Sequence, residues 1–183
     1  MYVGHFAAGL ALKARVPKSP TWAILLGVGL LDVLFGPFVL AGIEHVHMTP
    51  DVSPGFSLDY IDWSHSLAMS LLWGTLYGFA FRKQGLAISL TMGVSVFSHF
   101  VLDLFMHPAD LALWPGSSVH LGIGIWRLFP TGWWLIEACF IAVCFLYYWS
   151  RSRSVATFGE HPFWILVVLL ALHVVNSPWL APT

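Results

Sequence analysis

Charged side chains are scarce in this sequence. Only 9% of its 183 residues are Asp, Glu, Lys or Arg, whereas 58% are hydrophobic and 16% are aromatic. So low a charged fraction cannot cover the surface of a soluble globular domain. With eight Lys and Arg and a formal net charge of -1, the chain also lacks the basic surface that nucleic-acid binding requires. The composition therefore indicates an integral membrane protein, which we treat as a single domain over residues 1–183.

Cysteine is also scarce. Cys139 and Cys144 lie five residues apart in one apolar segment, where a helix points their side chains in different directions. We therefore expect neither a disulfide nor a thiolate metal site. The positive charges near the N-terminus follow the first apolar stretch instead of preceding it, the reverse of a secretory signal. We expect this segment to remain in the mature protein.

Long apolar segments predict the fold. A helix needs about 20 apolar residues to cross a bilayer. Segments of about that length occur at residues 20–43, 64–81, 86–106, 131–150 and 162–180. The stretch from Tyr2 to Leu12 is shorter, and the prolines of RVPKSP stop its continuation. We expect an all-α fold, a polytopic transmembrane helical bundle of about five full spans plus a short N-terminal half-inserted helix.

Basic residues set the predicted orientation. By the positive-inside rule, the side of the membrane with the most Lys and Arg is cytoplasmic. Seven of the eight fall on one side of these spans, namely Lys13, Arg15, Lys18, Arg82, Lys83, Arg151 and Arg153. Arg127 and the loops 44–63 and 107–130 are then outside. The predicted location is the cytoplasmic (inner) membrane, with the basic loops in the cytoplasm.

Several polar residues interrupt the apolar segments at a similar depth. His99, Asp103 and His107 follow one another at steps of four, so a helix aligns them on one face. At a rise of 1.5 Å per residue, Asp32, His65, His99 and Asp103 lie about 18 to 27 Å from the basic side. Glu137 and His173 lie near the same depth, at about 21 and 17 Å. This agreement predicts a polar site in the outer half of the membrane.

Histidine and carboxylate together predict a metal site. An unpaired carboxylate in hydrocarbon is costly, and neither Asp32 nor Asp103 has a Lys or Arg in its own span. Neutral imidazoles and carboxylates suit a divalent metal, Zn first, with Mn or Fe as alternatives. His5 lies about 12 Å before Lys13 along a helix, which brings it within reach. A metal-free hydrogen-bonded network and a proton or ion path stay open as alternatives. The predicted ligands are His5, Asp32, His65, His99 and Asp103.

The motifs GHFAAGLALK, LLDVLFG, GIEHVHMTP, DYIDWSHSL and SHFVLDLFMHPADLAL resemble bacterial integral membrane proteins described as membrane-bound metal-dependent hydrolases. The resemblance runs from about residue 4 to Glu137 and implies a metal site at His5, Asp32, His65 with Ser66, and His99 with Asp103. The ligand order is distantly similar to that of zinc-dependent phospholipase C. LLDVL replaces the LPDxD of many relatives, so a second carboxylate is missing there. A second ion would then need a ligand from Glu44, Asp62, His107 or Asp110 in place of that carboxylate.

The leading hypothesis is a membrane-embedded metal-dependent hydrolase with one or two ions. The metal would activate a water and polarise a phosphoryl or acyl oxygen, and a site in the outer half suits a membrane lipid or lipid-linked ester. Phosphoester cleavage is the preferred reaction by the phospholipase analogy, although no Lys or Arg cluster marks a phosphate pocket. Candidates for general base or for orienting a ligand are Glu44, His107, Asp110 and Glu137.

Two other classes of function stay open. One is a non-catalytic metal-binding membrane protein, either a carrier or an assembly factor. The other is an ion or proton transporter, which the absence of a two-half repeat makes the weaker alternative. We expect no nucleic-acid partner, and the sequence is compatible with a homo-oligomer.

Overall fold

A computed structural model describes residues 2–48, 56–152 and 161–180. Helices dominate this part of the chain, as the sequence predicted. In chain order they are α1 (Tyr2–Arg15), α2 (Thr21–Val28), α3 (Leu30–Leu40), α4 (Asp62–His65), α5 (Leu67–Ala80), α6 (Leu86–Met106), α7 (Ile125–Leu128), α8 (Gly132–Ser152) and α9 (Pro162–Val175).

Two short antiparallel hairpins supplement the helices. In the first, β1 (His45–Met48) pairs with β2 (Phe56–Tyr60). In the second, β3 (Leu111–Ala112) pairs with β4 (His120–Leu121). Both fall in segments that the sequence assigned to loops on one side of the membrane. The all-α prediction therefore holds for the bulk of the fold and misses these two hairpins.

The prediction of five full spans was wrong for the described residues. Two helices, α6 and α8, are long and apolar enough to cross a membrane, and α2 with α3 makes a third candidate if this pair, bent by 51°, counts as one span. Helices α5 and α9 have 14 residues each, about 21 Å, which falls short of a bilayer core of about 30 Å. The apolar windows had included residues beyond their ends, such as the turn at Asn176.

Helix α1 packs into the molecule along two faces. The predicted N-terminal helix 2–12 is present and extends to Arg15. Val3, Ala7 and Leu10 lie at helical spacing and bury one face against α8 and α9. A Cβ added at Gly9 would contact Ile24 of α2 at 3.2 Å, so α1 also lies close to α2. The two contacts fix the position of α1, which carries His5.

Helices α5 and α6 approach each other through glycine. A Cβ at Gly78 would lie 2.8 Å from the carbonyl oxygen of Ser89, and one at Gly74 would lie 2.9 Å from that of Gly93. These distances are shorter than van der Waals contact, so larger residues would push the helices apart. The close approach holds α6 in place, and α6 carries His99 and Asp103.

Candidate metal centre

Helix α6 provides two of the predicted ligands. His99 and Asp103 lie one turn apart on its buried face, and His99 Nε2 is 3.0 Å from Asp103 Oδ2. The helix ends at Met106, and His107 takes an extended conformation directly before Pro108, as that proline predicts. His99 and Asp103 therefore lie on the helix, and His107 lies just past its end.

The break between α2 and α3 supplies a carbonyl group and a carboxylate. The last carbonyls of a helix have no partner within it, and His99 Nδ1 donates to the carbonyl oxygen of Val28 at 2.7 Å. Asp32 lies in the first turn of α3, where the helix dipole favours a negative charge. Its carboxylate Oδ1 is 3.7 Å from His99 Nε2. The bend thus brings Asp32 to His99 and also fixes the His99 ring.

His65 is oriented by a chain of polar groups. The buried carboxylate of Glu44 accepts hydrogen bonds from the Ser64 amide at 2.7 Å and from the Ser64 hydroxyl at 2.8 Å. Because the hydroxyl gives its proton to Glu44, it accepts from His65 Nδ1 at 2.6 Å. Burial raises the pKa of the Glu44 carboxyl above its ordinary value, while the bonds from Ser64 act in the opposite direction. His65 Nε2 is left to face Asp32 Oδ1 at 3.5 Å.

His5 completes the cluster from α1. Its ring stacks on that of His99, with centroids 3.8 Å apart and planes at 1°. Its Nε2 is 3.2 Å from Asp103 Oδ1. The side chain is 5% exposed, so the N-terminal helix delivers a buried imidazole to the face of α6.

The five predicted ligands therefore come together. The carboxylate of Asp103 has the Nε2 atoms of four histidines within 4.0 Å, those of His5, His65, His99 and His107. Ligand atoms lie within 4.8 Å of one another in two trios, His5 with His99 and Asp103, and Asp32 with His65 and His99. Both trios use His99, whose Nε2 faces both carboxylates. Because the two trios share His99, they are adjoining parts of one cluster.

The hydrogen bonds at Nδ1 decide which ring nitrogen faces the centre. His65 and His99 each donate from Nδ1, to a hydroxyl and a carbonyl respectively. If such a ring is neutral, its Nε2 has a lone pair and no hydrogen. It then cannot donate a hydrogen bond to the carboxylate that it faces. The contacts between these Nε2 atoms and the carboxylates are favourable when a cation lies between the groups or when some of the rings are protonated. Metal-bound histidines have this same arrangement, with the other nitrogen donating to an oxygen.

A cavity of about 230 Å³ opens onto the cluster. Its lining includes the five residues together with Tyr2, Phe35, Leu58 and Trp126. Asp32 is the most accessible of the five, with its side chain 52% exposed, whereas Asp103 is 4% exposed. The centre is thus enclosed on the side of α1 and α6 and open beside Asp32.

No family model, curated protein or solved structure matches this chain. The resemblance to metal-dependent hydrolases therefore rests on the sequence motifs alone.

The four residues predicted to act as general base or to orient a ligand occupy different places. His107 lines the cavity, and its Nδ1 donates to Asp110 Oδ1 at 3.1 Å. Glu44 acts on His65 through Ser64. Glu137 does not line this cavity but accepts from the Gly4 amide at 2.8 Å. The structure thus brings His107 to the cavity and pairs it with Asp110, and the cavity lining includes neither Asp110 nor Glu44 nor Glu137.

Two groups that orient the histidines were not predicted. Ser64 directly precedes His65, and this position could have suggested it as a hydrogen-bond partner for the His65 ring. The Val28 carbonyl has no side-chain signature, and only the break at Gly29 makes it available. Trp126, whose ring lies 4.4 Å from that of His107, was also missed, because α7 is a single short turn.

Proposed function

We propose that this protein is a membrane-embedded hydrolase that uses one divalent metal ion to cleave an ester bond in a lipid or lipid-linked substrate. One observation carries the proposal: the Nε2 atoms of His65 and His99, whose Nδ1 atoms bond to oxygens, converge on two carboxylates that line an open cavity. A bound divalent ion would supply Lewis acidity and activate a water near neutral pH.

The donor set supports a metal of the Zn, Mn or Fe class. The ligands are His5, Asp32, His65, His99 and Asp103, which offer nitrogen and oxygen and no thiolate. Around an ion with bonds of about 2.1 Å, neighbouring ligand atoms lie about 3.0 to 3.5 Å apart. The separations of 3.0, 3.2 and 3.5 Å within the cluster agree with this spacing. Two carboxylates also balance the charge of one divalent ion.

His107 is the proposed general base. Its Nδ1 is held by Asp110, so the neutral ring offers Nε2 to a water in the cavity. Nε2 is 3.9 Å from Asp103 Oδ1, which puts it beside the ligands. The Trp126 ring packs against His107 and limits its rotation.

An apolar wall supports a lipid substrate. Tyr2, Phe35, Leu58 and Trp126 line the same cavity as the five proposed ligands, and an amphiphile matches this combination. Two or three of the predicted spans can cross the membrane, and we propose the cytoplasmic membrane with the site in its outer half. Arg15 and Lys18 line one cleft together with Gln84 and Gly85, which supports a common basic side for these turns. By the positive-inside rule that side is cytoplasmic.

A non-catalytic metal carrier is the second candidate. The half-exposed Asp32 favours it, because an accessible ligand allows an ion to enter and leave. A carrier needs no general base, so the ordered His107 and Asp110 pair favours the hydrolase.

A hydrolysis assay separates the two. The full chain in detergent is treated with chelator, reloaded with Zn²⁺ or Mn²⁺, and offered a neutral diacyl ester, a phospholipid and a lipid phosphate. We expect cleavage of one class that is lost with Asp103→Asn and kept with His47→Ala, which changes an exposed histidine outside the cavity. A metal-loaded chain that cleaves none of the three overturns the hydrolase and leaves the carrier.

A further inference from the structure

A second buried polar group lies behind the metal centre. Glu137 of α8 is fully buried, and its Oε1 accepts a hydrogen bond of 2.8 Å from the backbone amide of Gly4. Gly4 lies in the first turn of α1, where amide groups have no partner within the helix. A carboxylate is a strong acceptor there, and the positive end of the helix dipole stabilises its charge. Glu137 thus ties the start of α1 to α8.

The residue after Gly4 is His5. A shift of the first turn of α1 would move the His5 ring, which stacks on His99 and faces Asp103 at 3.2 Å. Metal ligands must be held to fractions of an ångström, and the groups that hold them affect affinity although they do not touch the ion.

A buried histidine lies on the other side of Glu137. Its Oε2 is 3.4 Å from His173 Nδ1 of α9. His173 is 3% exposed, and Trp134 stacks on its ring with centroids 4.2 Å apart. The indole of Trp134 also donates to the His173 carbonyl oxygen at 2.9 Å. His173 of α9, packed on Trp134 of α8, therefore lies against the carboxylate that receives the Gly4 amide.

We propose that Glu137 is a positioning residue for the metal centre: through the Gly4 amide it sets the place of His5 as a ligand, with His173 and Trp134 as its support. This inference rests on the proposed function in that it takes His5 to be a ligand. It assigns Glu137 no contact with substrate or metal.

Two substitutions at Glu137 test whether its acceptor oxygen for the Gly4 amide is what matters. Glu137→Gln keeps an acceptor oxygen for the Gly4 amide, and Glu137→Leu removes it. We expect the affinity for Zn²⁺ to fall by about 10 to 100 times in the Leu variant and to stay close to wild type in the Gln variant. Ile141→Ala is the matched control, because Ile141 is buried in the same α1 and α8 contact one turn further along. It should lower stability and leave the affinity unchanged.

A double-mutant cycle supplies the decisive readout. If Glu137 acts through His5, Glu137→Leu should reduce the Zn²⁺ affinity in the wild-type chain and cause no further loss in a His5→Ala background. Equal losses in both backgrounds, in folded protein, overturn the positioning role and leave the proposed function intact. If the wild-type chain binds no metal, the proposed function fails. Hydrogen exchange at the Gly4 amide tests the contact separately from the metal: unchanged exchange in Glu137→Leu overturns the positioning role, and faster exchange in that variant but not in Glu137→Gln supports the link between Glu137 and α1.

Discussion

The rings of His5 and His99 lie parallel, 3.8 Å apart, although 94 residues separate them along the chain. Two imidazolium ions stacked at this distance would repel each other, so at least one of the rings is neutral. A cluster balanced by a proton on every histidine is therefore disfavoured. The single cation that we propose between the neutral rings and the two carboxylates is compatible with this stacking.

Ser64→Ala should weaken metal binding although Ser64 is not a ligand. The change removes the hydroxyl that accepts from His65 Nδ1 and links it to Glu44. Loss of such a link to a ligating histidine costs about 10 to 100 times in affinity. Competition titration with a chelating dye measures the change. Ser70→Ala is the control, because the hydroxyl of this buried serine donates to the Leu67 carbonyl oxygen of its own helix. Equal affinities in the two variants would contradict the role of Ser64.

His107→Gln should lower kcat while metal content stays at the wild-type level. A general base contributes about 100 to 10,000 times to the rate, and His107 has that role in the proposed reaction. Asp110→Asn should cause a smaller loss of kcat, because it weakens the hydrogen bond that orients His107 and keeps the imidazole itself. Turnover and metal content are measured on the same preparations. Loss of the metal together with activity in His107→Gln would make His107 a ligand instead.

Gly78→Ala should destabilise the protein. Its new Cβ would lie 2.8 Å from the Ser89 carbonyl oxygen, and this backbone atom cannot move without shifting α6. Overpacking of this kind costs about 1 to 3 kcal/mol in the free energy of unfolding. Gly29→Ala is the control, since the φ of Gly29 is negative and a Cβ there would meet nothing closer than the Leu25 carbonyl oxygen at 3.7 Å. That change should leave the free energy of unfolding close to the wild-type value. Denaturation in detergent compares the variants, and equal stabilities would contradict the close packing.

Local patterns in the sequence predicted the core of the candidate site. His99 and Asp103 fall on one face of a single long helix, and helical geometry alone is enough to bring them together. The rise along each helix also placed Asp32 and His65 at a shared depth. Depth does not fix rotation about the helix axis, however. Glu137 shared that depth, yet its side chain faces the start of α1 and not the cavity.

The number of spans could not be predicted in the same way. Hydropathy shows where apolar residues are, but it does not show where a helix begins or ends within an apolar segment. Ser66 caps α5 by accepting from the Met69 amide at 3.4 Å, so the predicted span 64–81 begins with a separate short helix. That break positions His65 at the end of α4. Similarly, the break at Gly29 divides one apolar segment and frees the Val28 carbonyl for His99. Irregular backbone thus shortens the apolar helices and also orients the proposed ligands.

Metal analysis of the purified chain tests the central claim most directly. Elemental mass spectrometry of wild type, His99→Ala, Asp103→Asn and His47→Ala in detergent gives the ion content per chain, and circular dichroism checks the fold of each. The account predicts one divalent ion in wild type and in His47→Ala, and none in the other two. X-ray absorption of the wild-type metal should show nitrogen and oxygen ligands only. Folded wild-type protein that holds no ion, even after incubation with Zn²⁺, Mn²⁺ or Fe²⁺, would contradict the account.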